Sequence, residues 1–474
     1  MPIPGMAGPP SRWPAAWRPF VACLLVATFL PRLSGASKVV THLPGFDGPL
    51  PFYLETGYVG LDDEAGTELF YYFVESERNP SKDPLVLWLT GGPGCSGFSG
   101  FVYEVGPLNY KVVPYNGSLP QLISNPYSWT KVASFLFLDT PVGSGFSYAR
   151  DPKGFYVGDS ISCLQVVTFL KKWFNDHPQY LPNPFYVGGS SYAAKMIPVI
   201  TTHVLEEIEE RRQPLINLKG YIAGNPVTGS DIDLNFRVPY AHGVGIISDQ
   251  LYEAAMKNCK GDYVNPANKI CGQVLQTIHD LIYEVSIDDI LEDKCVLIAP
   301  KPINGDSGSR ILSEEHIQLR KPPPEPSIEC FTYMYYLSYF WANYNGTRDA
   351  LGIREGTVDE WIRCNRTMHY TPDIPSSIGY HHIVNNKGYR VLVYSGDHDL
   401  SVPFLGTHSW IRSFKYPIVD DWRAWHVDGQ TAGFTIRYNN LTFATLKGAG
   451  HTAVEYVPKQ GFAMAQRWID ELPL

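Results

Sequence analysis

The feature that most constrains this chain is a recurring pair: a short, unbroken apolar run followed at once by a Gly/Pro-rich turn. Pro84-Leu-Val-Leu-Trp-Leu-Thr90 runs into Gly91-Gly-Pro-Gly94, and Ala133–Leu138 runs into Asp139-Thr-Pro-Val-Gly143. Pro184–Val187 meets Gly188-Gly-Ser-Ser191, and Leu218–Ala223 meets Gly224-Asn-Pro226. Tyr389–Tyr394 ends at Ser395-Gly-Asp397, and Leu441–Leu446 ends near Gly448-Ala-Gly450. Runs without polar alternation suit strands covered on both faces. Helical patterns over 159–176 and 192–212 separate some of them. Strands alternating with helices predict an α/β protein with a mostly parallel central sheet.

That rhythm fails from 227 to 374, which reads as a cap inserted between a first core part, 37–226, and a second, 375–474. The insertion carries the run Lys321-Pro-Pro-Pro-Glu-Pro326, and 302–326 is expected to be an exposed, protease-sensitive loop. Ahead of the core, Arg12 and Arg18 precede the eleven-residue apolar run Phe20–Leu30. That run is too short to span a hydrocarbon layer of about 30 Å. With small residues at Ser34-Gly-Ala36, residues 1–36 are expected to be a signal peptide, and no later run spans a membrane. The expected destination is the secretory pathway, extracellular or vacuolar.

Secretion gives the cysteines an oxidising setting. After Cys23 is removed seven remain, so at least one is unpaired. Cys163 lies in Ser160–Phe174, where Ile161, Leu164, Val167, Leu170 and Phe174 recur at helical spacing, and a buried free thiol is expected there. No CxxC or HxxxH pair suggests a metal, and no cofactor is expected. Sequons stand at Asn116, Asn345, Asn365 and Asn440. A formal charge of −9 argues against nucleic acid as a partner.

A nucleophilic serine between strand and helix needs small flanking residues. The pattern G-x-S-x-A occurs twice. Gly145-Phe-Ser147-Tyr-Ala149 leads into Arg150-Asp-Pro, which cannot open a helix at once. Gly189-Ser-Ser191-Tyr-Ala193 follows a strand and precedes a long helical stretch, so context selects Ser191. An acid and a base follow at strand ends in the order Ser…Asp…His. Asp399 is preferred to Asp397 for its spacing to Pro403. His451 is the base, and His398 reads as a bystander. Acyl transfer also needs fixed N–H donors for a developing oxyanion. The loop Thr90-Gly-Gly-Pro-Gly-Cys-Ser96 can supply one, and the residue after the nucleophile, Tyr192, the other. The loop lacks the Lys-Ser/Thr pair of a phosphate-binding loop.

These pieces resemble the serine carboxypeptidase-like family. Leu54-Glu-Thr-Gly-Tyr58, Trp88-Leu-Thr-Gly-Gly-Pro-Gly-Cys-Ser96, Glu104-Val-Gly-Pro107, Asn125-Pro-Tyr-Ser-Trp129, Gly224-Asn-Pro226 and the loops of Asp399 and His451 match collinearly. The resemblance implies an α/β-hydrolase fold with an inserted cap and a triad of Ser191, Asp399 and His451. It implies Gly92 and Tyr192 as oxyanion donors. It also implies disulfides Cys95–Cys364, Cys259–Cys271 and Cys295–Cys330, leaving Cys163 free. Peptidases of the family hold a peptide's terminal carboxylate with an Asn and two acids. The matching positions here are Thr90, Ser190 and Glu104, beside Gly91. Thr90 and Lys195 resemble instead the plant acyltransferase branch, which reads Thr-Gly-Gly-Pro-Gly and Gly-Asp-Ser-Tyr-Ser-Gly-Lys. Ser190 fits neither pattern. The expected activity is transfer of an acyl group from a small-molecule sugar ester to an acceptor alcohol or amine. The alternatives are a carboxypeptidase acting on a peptide C-terminus and a catalytically silent binding protein.

Overall fold

The computed structural model describes residues 37–295 and 323–474. The expected signal peptide and most of the expected loop 302–326 lie outside them. In chain order the main sheet contains β1 (Lys38–Val39), β2 (Leu54–Gly60), β3 (Thr67–Val74), β4 (Leu85–Leu89), β5 (Ser134–Leu138) and β6 (Phe185–Ser190). It continues with β7 (Leu218–Gly224), β8 (Arg390–Gly396), β9 (Ile418–Val427), β10 (Gln430–Tyr438) and β11 (Leu441–Leu446). The strands lie in the order β1-β2-β3-β5-β4-β6-β7-β8-β11-β10-β9, and Tyr148–Ala149 adds a short pairing to β3.

The six apolar runs are the six neighbouring parallel strands, from β5 through β4, β6, β7 and β8 to β11. Alternation along β4 shows why they carry no polar side. Val86 and Trp88 enter a core with Trp129 and Tyr394, while Leu85, Leu87 and Leu89 enter another with Val187 and Val393. The second face is covered by α1 (Asp159–Asp176) and α2 (Ala193–Glu209). The fold is that of an α/β hydrolase. The sequence reading placed no strand at β1–β3, β9 or β10, which flank the parallel block and pair antiparallel.

One helical expectation needs correction. In α1, Val167, Leu170 and Phe174 are buried, but Ile161 and Leu164 are exposed (49% and 53%). Steps of three residues fall about 60° short of a full helical turn, so the spacing walked off the buried stripe. That stripe includes Cys163, Val166, Phe169 and Trp173. Cys163 is a buried free thiol, and burial raises its pKa.

Among the described residues, 227–374 adds no strand to the main sheet. Its two parts differ. Helices Asp249–Cys259 and Lys269–Ile282 close a satellite core with Val238 and Leu400 and carry the Cys259–Cys271 disulfide. Helix Tyr333–Ala342 instead sends Tyr333 and Trp341 into the main aromatic core, where Trp361 joins them. Cys295–Cys330 connects the parts. Cys95–Cys364 ties the second part to the glycine loop after β4, flanked by Ser96 N–H donating to Arg363 O (2.7 Å) and Asn365 N–H to Gly94 O (2.8 Å). The pairing agrees with the family resemblance.

Candidate active site

β6 ends at Ser190, and the chain turns sharply into α2. Ser191 sits in this turn with φ of +59°, an uncommon left-handed conformation for a side-chain-bearing residue. Neighbouring strands crowd the elbow. A Cβ at Gly189 would stand 2.2 Å from Leu89 O, which accounts for glycine at that flank. Ala193 on the other flank is buried. The rival Ser147 is a buried structural residue: its Oγ–H donates to Asp139 O (2.6 Å) and its Oγ accepts from Phe70 N–H (2.8 Å).

The ends of three strands bring the predicted triad together. Ser191 Oγ lies 2.7 Å from His451 Nε2, and His451 Nδ1 lies 2.9 Å from Asp399 Oδ2. Asp399 follows β8 and is fully buried; His451 follows β11. Asp399 Oδ1 accepts from Val402 N–H (2.9 Å), one residue before Pro403. Its Oδ2 also accepts from Asn225 Nδ2 (2.8 Å). Burial by itself would lower the His451 pKa, but the charge and hydrogen bond of Asp399 override it and raise the value. Asp397 points elsewhere and accepts from Gly448 N–H (2.7 Å). His398 stands between Asp289 and Asp397 at 3.9 and 3.8 Å.

A strap from the insertion fixes these loops. Ile287 O accepts from Leu400 N–H (3.0 Å) and Ser401 N–H (2.8 Å), and Ile290 N–H donates to His398 O (3.2 Å). Asp288 O accepts from the His451 N–H itself (2.6 Å).

The glycine loop lies against Ser191. A Cβ on Gly91 would meet Ser191 Cβ at 2.7 Å and Tyr192 N at 2.9 Å, so only glycine allows this approach. Gly92 follows with φ of +123°. Thr90 Oγ1 is buried and has no partner among the described residues. Ser190 Oγ–H donates to Glu104 Oε2 (3.2 Å), which also accepts from Trp88 Nε1 (2.7 Å). Lys195 does not reach this cleft. Its Nζ is buried on Asp159 Oδ2 (2.8 Å), while Tyr192 and Tyr370 hydroxyls donate to Asp159 Oδ1 (2.8 and 2.6 Å).

Sequence reasoning counted Glu104 as the one acid of the expected substrate site, and the structure brings Glu455 toward it. It lies on the short helix Ala453–Tyr456, four residues past His451, and its Oε2 accepts from Tyr335 O–H (2.6 Å). Burial raises the pKa of both glutamates, and the charge of Glu104 raises that of Glu455 further. The charges of Arg363 and His451 act on both in the opposite sense. The place of Glu455 on a short helix past His451 carries no motif that marks it in the sequence. Asn225 stood within a matched motif without an assigned role, and the Asp159 cluster had no local signature.

Of the sequons, Asn116 and Asn345 are exposed, while Asn365 and Asn440 are half-buried. Asn365 Nδ2 donates to Gly143 O (2.9 Å), so one of its two amide hydrogens is already engaged.

The family model described as serine carboxypeptidase matches residues 44–471. Serine carboxypeptidase-like 19 of Arabidopsis thaliana is 47% identical over 464 residues, covering 96% of this chain and 98% of the relative. Serine carboxypeptidase-like 17 of the same plant is 45% identical, covering 94% and 95%. The crystal structure of Kex1, a prohormone-processing carboxypeptidase of Saccharomyces cerevisiae, superposes with a TM-score of 0.68 at 18% identity. That match covers 89% of this chain and 92% of the yeast chain, and supports the fold. A hydrogen-bonded Ser–His–Asp chain at the strand ends of an α/β-hydrolase sheet fits this kinship, and the chain belongs to the serine carboxypeptidase family.

Proposed function

We propose that this protein is an acyltransferase that moves an acyl group from a sugar ester to an acceptor alcohol or amine. Ser191 Oγ attacks the ester carbonyl as His451 takes its proton, and the proton passes to the departing sugar oxygen as the C–O bond breaks. The acceptor then gives a proton to His451 and attacks the acyl-serine, and Ser191 recovers its proton. Asp399 orients the imidazole and stabilises its cation. The N–H groups of Gly92 and Tyr192 are the oxyanion donors, which accords with the approach of Gly91 to Tyr192 N. Thr90, Gly91, Glu104 and Ser190 line the substrate.

The observation that carries the transferase reading is Ser190: a neutral hydroxyl precedes the nucleophile and donates to Glu104. With Thr90 it leaves the amide and one acid of the peptidase pattern unfilled. A hydrogen bond to a charged group contributes about 1.5–3 kcal/mol, so missing two costs about 10²–10⁴ in peptide specificity. The second reading, a carboxypeptidase, is favoured by the paired acids Glu104 and Glu455, which could share a proton with a peptide carboxylate at low pH. The hydrogen-bonded triad counts against a silent binding protein.

We assign the chain to the secretory pathway, extracellular or vacuolar, with 227–374 as the cap on a core of 37–226 and 375–474. The test is incubation of the purified protein with glucose-ester and peptide libraries, with products read by mass. Transfer from a sugar ester supports the proposal; peptide hydrolysis without any transfer overturns it. Thr90→Asn with Ser190→Glu should raise peptide hydrolysis at acidic pH.

A further inference from the structure

The His451 side of the cleft is where an alcohol leaves the acyl group and where an acceptor enters, because His451 handles both protons. Two carboxyl groups occupy that side. Glu104 has Oε2 held by Trp88 and Ser190, and Glu455 has Oε2 held by Tyr335. Among the described residues Thr90 Oγ1 and Tyr394 O–H are buried without partners, and the charges of both glutamates act on Tyr394. Arg363 brings a positive charge here besides that of His451. Its guanidinium lies 3.9 Å from the Tyr335 ring centroid, and both charges act on the two acids. A substrate carboxylate would need a proton from one of these carboxyls to sit beside them. A polyol would not, and its hydroxyls can both donate to carboxylate oxygens and accept from tyrosine or threonine.

We propose that Glu455 is a specificity-determining residue: with Glu104 it forms an acidic wall that hydrogen-bonds the hydroxyl groups of a polyol, such as a sugar, as that alcohol leaves the acyl group. This inference rests on the transferase reading. It adds a residue and a chemical criterion that the family motifs do not contain.

The test compares formation of acyl-Ser191, read by intact mass, from a glucose ester and from a p-nitrophenyl ester of the same acid. In Glu455→Gln, which keeps an oxygen for Tyr335, the glucose-ester rate should fall about 10- to 100-fold more than the nitrophenyl-ester rate, as expected for lost hydrogen bonds to a carboxyl. Tyr335→Phe, which frees Glu455 without removing it, should shift the ratio in the same direction by less. If both esters slow together in the variants, Glu455 acts only on the fold or on His451; if neither slows, it does not touch the leaving alcohol; either result overturns the inference while transfer by the wild type stands. If the wild type is acylated by the nitrophenyl ester and by no sugar ester, the transferase reading fails and this inference with it.

Discussion

The floor of the cleft and its walls are built on different principles. The floor is the carboxyl edge of a parallel sheet. β6, β8 and β11 deliver Ser191, Asp399 and His451 from turns whose geometry the flanking strands dictate. The walls are assembled from distant segments: Glu104 before its Gly-Pro turn, Glu455 beyond the base, and Tyr335 and Arg363 from the insertion. The floor is constrained by close contact, as at Gly91 and Gly189, so few residues fit. The walls are constrained only by what they bind. Family chemistry is therefore expected in the floor and substrate choice in the walls.

The largest effect should come from the floor. Ser191→Ala or Asp399→Asn should lower acyl transfer by about 10⁴ or more while leaving the melting temperature nearly unchanged. Ser191→Ala should also abolish labelling by a serine-directed phosphonate. Full labelling of that variant would show that another residue reacts and would break the division at its root.

The tie between floor and wall comes next. Cys364→Ser removes a link across 269 residues of sequence and should cost about 2–5 kcal/mol, seen as lower secretion and a lower melting temperature. Cys163→Ser, an unpaired position, should be milder. Equal losses would remove the case for a structural link between the glycine loop and the insertion.

Acidity should separate the walls from the remaining core more gently. Glu104 and Glu455 bind protons more tightly folded than unfolded, because burial raises both above the ordinary value of 4.5. The stability from those protons is complete below that value and is lost as pH rises through the raised pKa values. His381 acts in the other direction. Burial lowers it to about 3, so its contribution is present above 6.5 and is lost as pH falls toward 3. Melting temperature should therefore peak in mild acid and decline toward pH 8, with the alkaline decline smaller in Glu104→Gln. An unchanged decline would mean that the wall acids ionise freely.

The smallest effect is expected at Asp397. Asp397→Asn should lower activity by less than about tenfold, since it holds a loop amide and not the imidazole. A loss as large as that of Asp399→Asn would reassign the acid.

Legibility followed the same division. The six strands read as continuous apolar runs are the six covered on both faces, and each ends in a turn that could be recognised locally. β9 was invisible because this edge strand carries Asp420, Asp421 and Arg423 and leaves much of itself to solvent. β3 is wholly buried but ends at Glu75-Ser76, without the Gly/Pro turn that marked the others. Ser191 was legible because its left-handed turn beside Gly189 restricts residue type, and Asp399 and His451 because each follows a recognisable strand end. Glu455 was not, since a glutamate on a short helix has no signature until Tyr335 is brought across 120 residues to meet it.

The strap at Ile287–Ile290 has a consequence for exchange between relatives. Asp288 O receives the amide of His451, so the inserted segment also sets the resting position of that imidazole. A chimera carrying another relative's insertion would import that relative's grip on His451 together with its pocket. Grafted selectivity in this architecture should therefore arrive coupled to a change in turnover, and the two would have to be recovered together by adjusting the strap.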